Sequence, residues 1–323
     1  MSSFLKKQSE NQSGWEFSPC DLCGELEGED SLALKHQDAP DGTAFIRVCR
    51  TCGLKRLWPR PGTNIIHNYY ASDYGPYKGR RRSPAKQAIW NLLRDGASGA
   101  PGRGRGLRPL RPLFRLLADW IFDINVPLDR ERLPRILDVG CGFGDLLLYW
   151  QSRGADVLGV DFDERAVEAA RKLGIVVLPG ALEEQNLMAQ SFDVVVFNHS
   201  LEHLPSPTLT LQQAFRILRQ GGSIHITVPN GASTGLSLEK DKWAAICFPV
   251  HFWFFDVITL SQTLKFVGFH NIKMHSRNIW RHRLAALITE PGWQSFSNIW
   301  QLLRLSLSRR NNGDLLSVVA IRT

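Results

Sequence analysis

Leu137-Asp138-Val139-Gly140-Cys141-Gly142-Phe143-Gly144-Asp145 is the stretch on which the fold turns. The apolar run Arg135–Gly140 fits a buried strand, and the segment Asp145–Arg153 reads as a helix directly behind it. Three glycines two residues apart join them, and glycine lets a backbone pass close beneath a ligand. The turn is one residue tighter than the G-x-G-x-x-G loop that seats a pyrophosphate on helix amides. Asp138 precedes it, an acid suited to a positively charged ligand.

Outward from this loop, strands and helix-length segments alternate. Val157–Asp161 is the next strand, and it ends on Asp161, about 20 residues past the glycines, where a carboxylate accepts both ribose hydroxyls of a nucleoside. The structural alternative for Asp161 is a helix N-cap. Glu164–Leu173 follows as a helix and Ile175–Leu178 as a strand. Phe192–Phe197 is the fourth strand, and Thr208–Arg219 is a helix stopped by Gly221-Gly222. Ser223–Val228, His270–His275 and Leu315–Arg322 complete the strands, with helix Asp256–Val267 among them. This order predicts an α/β, doubly wound, Rossmann-like sheet with ligands at the carboxyl ends of its strands.

Ahead of that domain lie two Cys-x-x-Cys pairs, Cys20/Cys23 and Cys49/Cys52, each followed by glycine. With no secretory signal, such pairs argue for metal rather than disulfides. The alternating run Thr43–Val48 between them fits a strand. The layout predicts a zinc ribbon, in which two hairpins clamp one ion between four tetrahedrally placed thiolates. The other reading is two unrelated redox-active or buried pairs.

The formal charge of +8 is uneven. Residues 78–115 hold eleven Lys/Arg against Asp95, leaving the rest of the chain near −2. Within that region Leu107–Phe122 has leucines at helical spacing, either a membrane- or nucleic-acid-facing amphipathic segment or a tether with a helix covering the sheet edge. A second amphipathic stretch is Trp293–Arg309. No apolar run reaches the length of a membrane span. The expected division is a disordered tail at 1–14, the zinc ribbon at 15–75, a basic linker and covering helix at 76–132, and the catalytic domain at 133–323. The expected location is cytoplasmic, with peripheral contact at the inner membrane face as an option.

Residues 135–230 resemble class I S-adenosylmethionine methyltransferases, through ILDVGCGFGD, VLGVDFDERAV, FDVVVFNHSLEHLPSP and LRQGGSIHITVPN. The resemblance implies a seven-stranded sheet of order 3-2-1-4-5-7-6 with the last strand antiparallel. It implies S-adenosylmethionine as cofactor, held by Asp138, Gly140, Cys141, Gly142, Gly144, Asp161, Phe162, Leu182 and Asn198, with adenine read by backbone near Leu182. The pattern CxxCG…CxxCGL…PRP…YY from Cys20 to Tyr70 is similar to zinc-ribbon methyltransferases of bacteria that act on cell-surface glycans or secondary metabolites.

An alkylating cofactor carries the difficult electronics, so the protein must align an acceptor and remove its proton. Candidates follow the fourth strand in His199-Ser200-Leu201-Glu202-His203: His203 first, His199 second, with Glu202 beside them and His251 a third base. The segment resembles that of ubiquinone-pathway O-methyltransferases, which carry Glu-x-x-Glu-His here and imply a divalent ion, but His199 replaces their first Glu; the further alternative is that Glu202 and His203 hold the loop by hydrogen bonds. The aromatic run Trp243, Phe248, Phe252, Trp253, Phe254 and Phe255 is expected to roof the acceptor pocket, or in part simply to pack on the sheet. The favoured activity is methylation, at oxygen, of a small molecule or saccharide. The competitors are an RNA methyltransferase gripping its substrate with ribbon and linker, and a scaffold that keeps the fold without activity.

Overall fold

A computed structural model describes residues 14–70, 133–277 and 312–323. The basic linker, the Leu107–Phe122 segment and the Trp293–Arg309 stretch lie outside the described residues. The N-terminal module opens with strand β1 (Trp15–Glu16), followed by β2 (Gly28–Lys35), β3 (Thr43–Cys49), β4 (Lys55–Trp58) and β5 (Arg60–Pro61). β2, β3 and β4 form an antiparallel meander, and β1 pairs with β5.

The larger unit begins with β6 (Arg135–Val139), α1 (Asp145–Ser152), β7 (Asp156–Asp161), α2 (Glu164–Lys172) and β8 (Val177–Pro179). It continues with β9 (Phe192–Asn198), α3 (Pro207–Ile217), β10 (Leu218–Pro229), the short α4 (Thr234–Glu239) and β11 (Trp253–Phe254). It ends with α5 (Val257–Val267), β12 (Phe269–Arg277) and β13 (Leu315–Arg322). The seven strands stand in the order β12-β13-β10-β9-β6-β7-β8. β6 to β10 run parallel, and β13 is antiparallel to both its neighbours. This is the expected 3-2-1-4-5-7-6 order.

Burial on both faces explains the near-continuous apolar strands. Ile136, Val194 and Val196 point to one side, packing with Leu147, Trp150 and Val167 of α1 and α2. Their neighbours Leu137, Val195 and Phe197 point to the other, with Leu211 and Ile217 of α3 and Leu260 of α5. Ile46, Leu54 and Leu57 of the N-terminal module belong to that second core. β11 joins the module's own sheet, pairing antiparallel with β4.

Two expectations shift at element ends. The helix expected to run to Arg219 stops at Ile217, because Leu218 already pairs with Phe192 on β9 and a register shift between Leu218 and Ser223 takes up Gly221-Gly222. The strand read as Ile175–Leu178 is Val177–Pro179. Among the described residues no helix is long and apolar enough to cross a membrane.

Candidate functional site

The glycine loop forms the cradle expected of it. Gly140, Gly142 and Gly144 all have positive φ, at 73°, 52° and 81°. At Gly140 the reason is also space: an added Cβ would lie 2.4 Å from Cβ of Ser200. Ser200 Oγ donates to the Val139 carbonyl at 2.5 Å, so the loop after β9 butts directly against the cradle. Asp161 accepts from the Gly142 amide at 2.7 Å through one oxygen and from the Asp163 amide at 2.9 Å through the other. Each carboxylate oxygen retains acceptor capacity for a ribose hydroxyl. Asp163, not Asp161, is the N-cap of α2. Phe162 is half exposed beside them.

Asp138 is 2% exposed and its Oδ1 has no hydrogen-bond partner. Burial, and then the charge of Asp161, pushes its carboxyl up to about 8. A buried, unpaired acid under a glycine cradle calls for a cation. The donor set therefore fits S-adenosylmethionine, whose ammonium and sulfonium are positive and whose ribose suits Asp161. Cys141 is half-buried, with its thiol toward the Gly142 carbonyl. Leu182 is buried and opens a single turn, while Glu183 is taken up by the Thr210 hydroxyl of α3. Asn198 closes β9, and His199 follows it at φ 55° with its imidazole partly exposed.

All four candidate proton-handling residues converge. Glu202 is fully buried, and neither carboxylate oxygen has a hydrogen-bond partner. His199 Nδ1 lies 3.6 Å and His251 Nε2 3.9 Å from its Oε1. Burial raises the Glu202 carboxyl, but the facing His199 imidazole, and then the charge that His203, His251 and His199 carry when protonated, outweigh it and hold the carboxylate low. The His203 and His251 rings meet edge to face at 4.4 Å. Nδ1 of His203 faces the Val250 carbonyl at 3.0 Å, and Nδ1 of His251 faces that of Ala245 at 3.0 Å. A carbonyl only accepts, so both rings carry their proton on Nδ1 and keep the Nε2 lone pair. Burial lowers His203 and, with His203 beside it, brings His251 to about 3. Both are neutral at neutral pH, as a base must be. Glu202, His203 and His251 also lie close enough together to share one cation.

The four module cysteines form a second cluster. Cys20–Cys52, Cys23–Cys49 and Cys23–Cys52 sulfur distances are 3.4, 3.5 and 3.6 Å. Zinc–thiolate bonds of about 2.3 Å would set tetrahedral sulfurs about 3.8 Å apart, close to this spacing. Gly24 and Gly53 take φ of 74° and 77°, and their amides return to the Cys20 and Cys49 carbonyls at 2.8 and 3.0 Å. The donor set fits zinc, and the two knuckles are equivalent.

The aromatic roof needs correction. Phe252, Trp253, Phe254 and Phe255 are at most 2% exposed, and they form the seam between sheet and module. Trp243 donates to Asp314 in the interior at 3.0 Å. Phe248 packs on Trp15 and His36 of the module. Edge-strand pairing, which no local pattern announces, made this run a seam. Sequence reasoning also passed over Asp21, Arg60 and Tyr70, which reach the loop after β9 from the module; the Tyr-Tyr at 69–70 was the one local sign of the last.

The glycine cradle, the carboxylate closing the second strand and the strand order together are those of an S-adenosylmethionine-dependent methyltransferase. The methyltransferase domain family matches residues 110–274, just over half of the 323, and the chain belongs to it. Among curated proteins it is 33% identical over 132 residues to the ubiquinone biosynthesis O-methyltransferase of Pseudomonas fluorescens SBW25, covering 38% of this chain and 54% of that protein. The same enzyme from Aromatoleum aromaticum is 33% identical over 130 residues, with the same coverage. The chain thus spans about half the length of these relatives. Among solved structures, a SAM-dependent methyltransferase of Archaeoglobus fulgidus is 19% identical, with TM-score 0.46 over 73% of this chain and 99% of that one. One from Thermotoga maritima is 20% identical, with TM-score 0.45 over 74% and 96%.

Proposed function

We propose that the protein transfers a methyl group from S-adenosylmethionine to a hydroxyl of a small molecule or saccharide, with His203 as proton acceptor. The observation that carries this reading is the Glu202–His203–His251 cluster, in which Glu202 and His203 lie on the loop that packs against the glycine cradle and buried His251 closes on them from the segment before β11. The cofactor supplies an activated methyl group; the chain supplies alignment and a base. Asp138 answers the cofactor's positive charge and Asp161 its ribose. His203, neutral and with a lone pair on Nε2, takes the hydroxyl proton, and the buried Glu202 carboxylate stabilises the imidazolium that results. The O-methyltransferase activity in the names of the curated relatives supports oxygen as the acceptor atom. On the same reading the four module cysteines hold a structural zinc ion.

The inward contacts of the module onto the loop after β9 support a place in the reaction centre over RNA capture, while the basic linker of the RNA alternative lies outside the described residues. The test is a panel of phenolic, catecholic and sugar hydroxyl acceptors incubated with methyl-labelled S-adenosylmethionine. His203→Ala should lower turnover on an accepted compound by about 10²–10⁴-fold with unchanged cofactor affinity. Full activity in that variant sinks the base assignment, and label in RNA alone sinks the acceptor class.

A further inference from the structure

The N-terminal module touches the loop that carries the base at three points. Asp21, between two of the cysteines, accepts from Ser206 Oγ at 2.5 Å and the Thr208 amide at 2.6 Å. Arg60 donates to the Pro205 carbonyl at 3.0 Å. Tyr70, the last described residue of the module, reaches His203 itself: its hydroxyl lies 2.9 Å from Nδ1.

That third contact has a definite chemistry. The Val250 carbonyl, 3.0 Å from the same nitrogen, can only accept, so Nδ1 bears the proton and the tyrosine oxygen is its second acceptor. One acceptor leaves an imidazole free to tilt about its side-chain bonds; two acceptors, with the His251 edge against the face, define its plane. The tyrosine is itself held on the cofactor side. Its ring meets Phe162 edge to face at 5.1 Å. Its carbonyl accepts from Arg165 Nη2 at 2.9 Å, and Arg165 pairs with Asp163 at 2.8 Å. The Asp163 amide in turn donates to Asp161, the ribose carboxylate. A continuous set of contacts therefore runs from the cofactor's ribose position to the base, and Tyr70 is its joint.

We propose that Tyr70 is a positioning residue of the methyl-transfer site, supplied by the N-terminal module to orient His203 relative to the bound cofactor. The catalytic meaning rests on the assignment of His203 as base; the orientation itself does not. A third group that holds the base in place is the general requirement of such sites, and here a separate module meets it. The four-cysteine module is then a part of the reaction centre, not an accessory domain that captures substrate.

The experiment uses the full zinc-loaded chain with S-adenosylhomocysteine and ¹⁵N-labelled histidine, read by long-range proton–nitrogen correlation at neutral pH. In the native protein His203 should show a pyrrole-type Nδ1 and a pyridine-type Nε2 with sharp ring signals. Tyr70→Phe keeps the ring against Phe162 and loses only the hydroxyl. It should broaden the His203 signals by exchange between ring orientations, leave those of His225, a histidine buried in β10, unchanged, and alter S-adenosylhomocysteine affinity less than about twofold. Tyr70→Leu, which also removes the ring contact, should weaken that affinity by about fivefold, in line with the loss of one edge-to-face aromatic pair. His203 signals in Tyr70→Phe identical to the native ones overturn the proposal, and so does equal broadening at His225, which would mean general loosening. Full activity of His203→Ala would remove the base assignment alone, because these signals report the orientation independently of turnover.

Discussion

Asp138 is the residue whose environment and expected task are most directly linked. In the ligand-free protein burial and the neighbouring Asp161 raise its carboxyl to about 8, so at pH 7 it is mostly protonated. A positively charged ligand favours the carboxylate, so binding should lower that value and expel a proton. Affinity for S-adenosylhomocysteine, whose ammonium is retained, should be greatest above pH 8 and weaken as pH falls, by up to tenfold per unit. Calorimetry in two buffers of different ionisation enthalpy measures the proton directly; none released at pH 7 refutes the link. The folding sign is opposite. A carboxyl raised above its ordinary 3.8 contributes its stability fully below that value and loses it as pH rises through 8. Asp138→Asn should therefore raise the melting temperature of the ligand-free protein at pH 9 while weakening cofactor binding. Asp138 and Asp161 were legible in the sequence because both sit at strand ends flanking a glycine loop, a local pattern. Tyr70 and Ser200 were not, because their partners lie 133 and 61 residues away.

Among the elements, α3 depends most on a distant part of the chain. Its own N-cap is Ser206 with Pro207 in the first turn, a combination the sequence displays openly. The Ser206 hydroxyl accepts from the Leu209 amide at a long 3.4 Å, a weak cap, while it donates to Asp21 at 2.5 Å. Asp21 adds a negative charge at the positive end of the helix and takes up the Thr208 amide. Asp21→Ala should cost about 1–2 kcal/mol, a lost cap with its charge. Hydrogen exchange checks where the cost falls: amides at 203–210 should exchange faster, and those of β6 and β7 should not change. Uniform acceleration would mean that Asp21 supports the whole fold and not this junction. The strand order and the parallel sheet were readable from periodicity, since each buried strand is marked by its own apolar run. The end of α3 and the β11 seam were not, because both are set by pairing with strands far off in sequence, β9 and β4.

The whole molecule has a feature that separates two ideas of the N-terminal module. An appended substrate-binding domain would have its own core and melt on its own. Here Ile46, Leu54 and Leu57 share one apolar core with Phe252 to Phe255, Leu201 and the α3 face of the sheet. Lys55 donates to the Gly231 carbonyl across the seam at 2.7 Å, and the Leu57 amide donates to the Phe252 carbonyl at 2.8 Å. Folding should therefore be a single cooperative transition, although two architectures are present. A zinc ion held by the four cysteines, as proposed above, would be part of that cooperative unit, because Cys20 and Cys49 are each 2% exposed and close the edge of the shared core. Structural zinc sites contribute on the order of 10 kcal/mol in isolated peptides, and about 1 kcal/mol moves the melting point of a domain this size by about 2–4 °C. Removing one equivalent of zinc with a chromogenic chelator should thus lower the single melting temperature by roughly 10 °C or more, with the S-adenosylhomocysteine-bound protein shifting in parallel. Scanning calorimetry distinguishes the outcomes. One endotherm that moves as a whole identifies the module as a wall of the reaction centre. Two endotherms, with the cofactor-stabilised one indifferent to the chelator, would show a detachable domain and return the substrate-capture reading to first place.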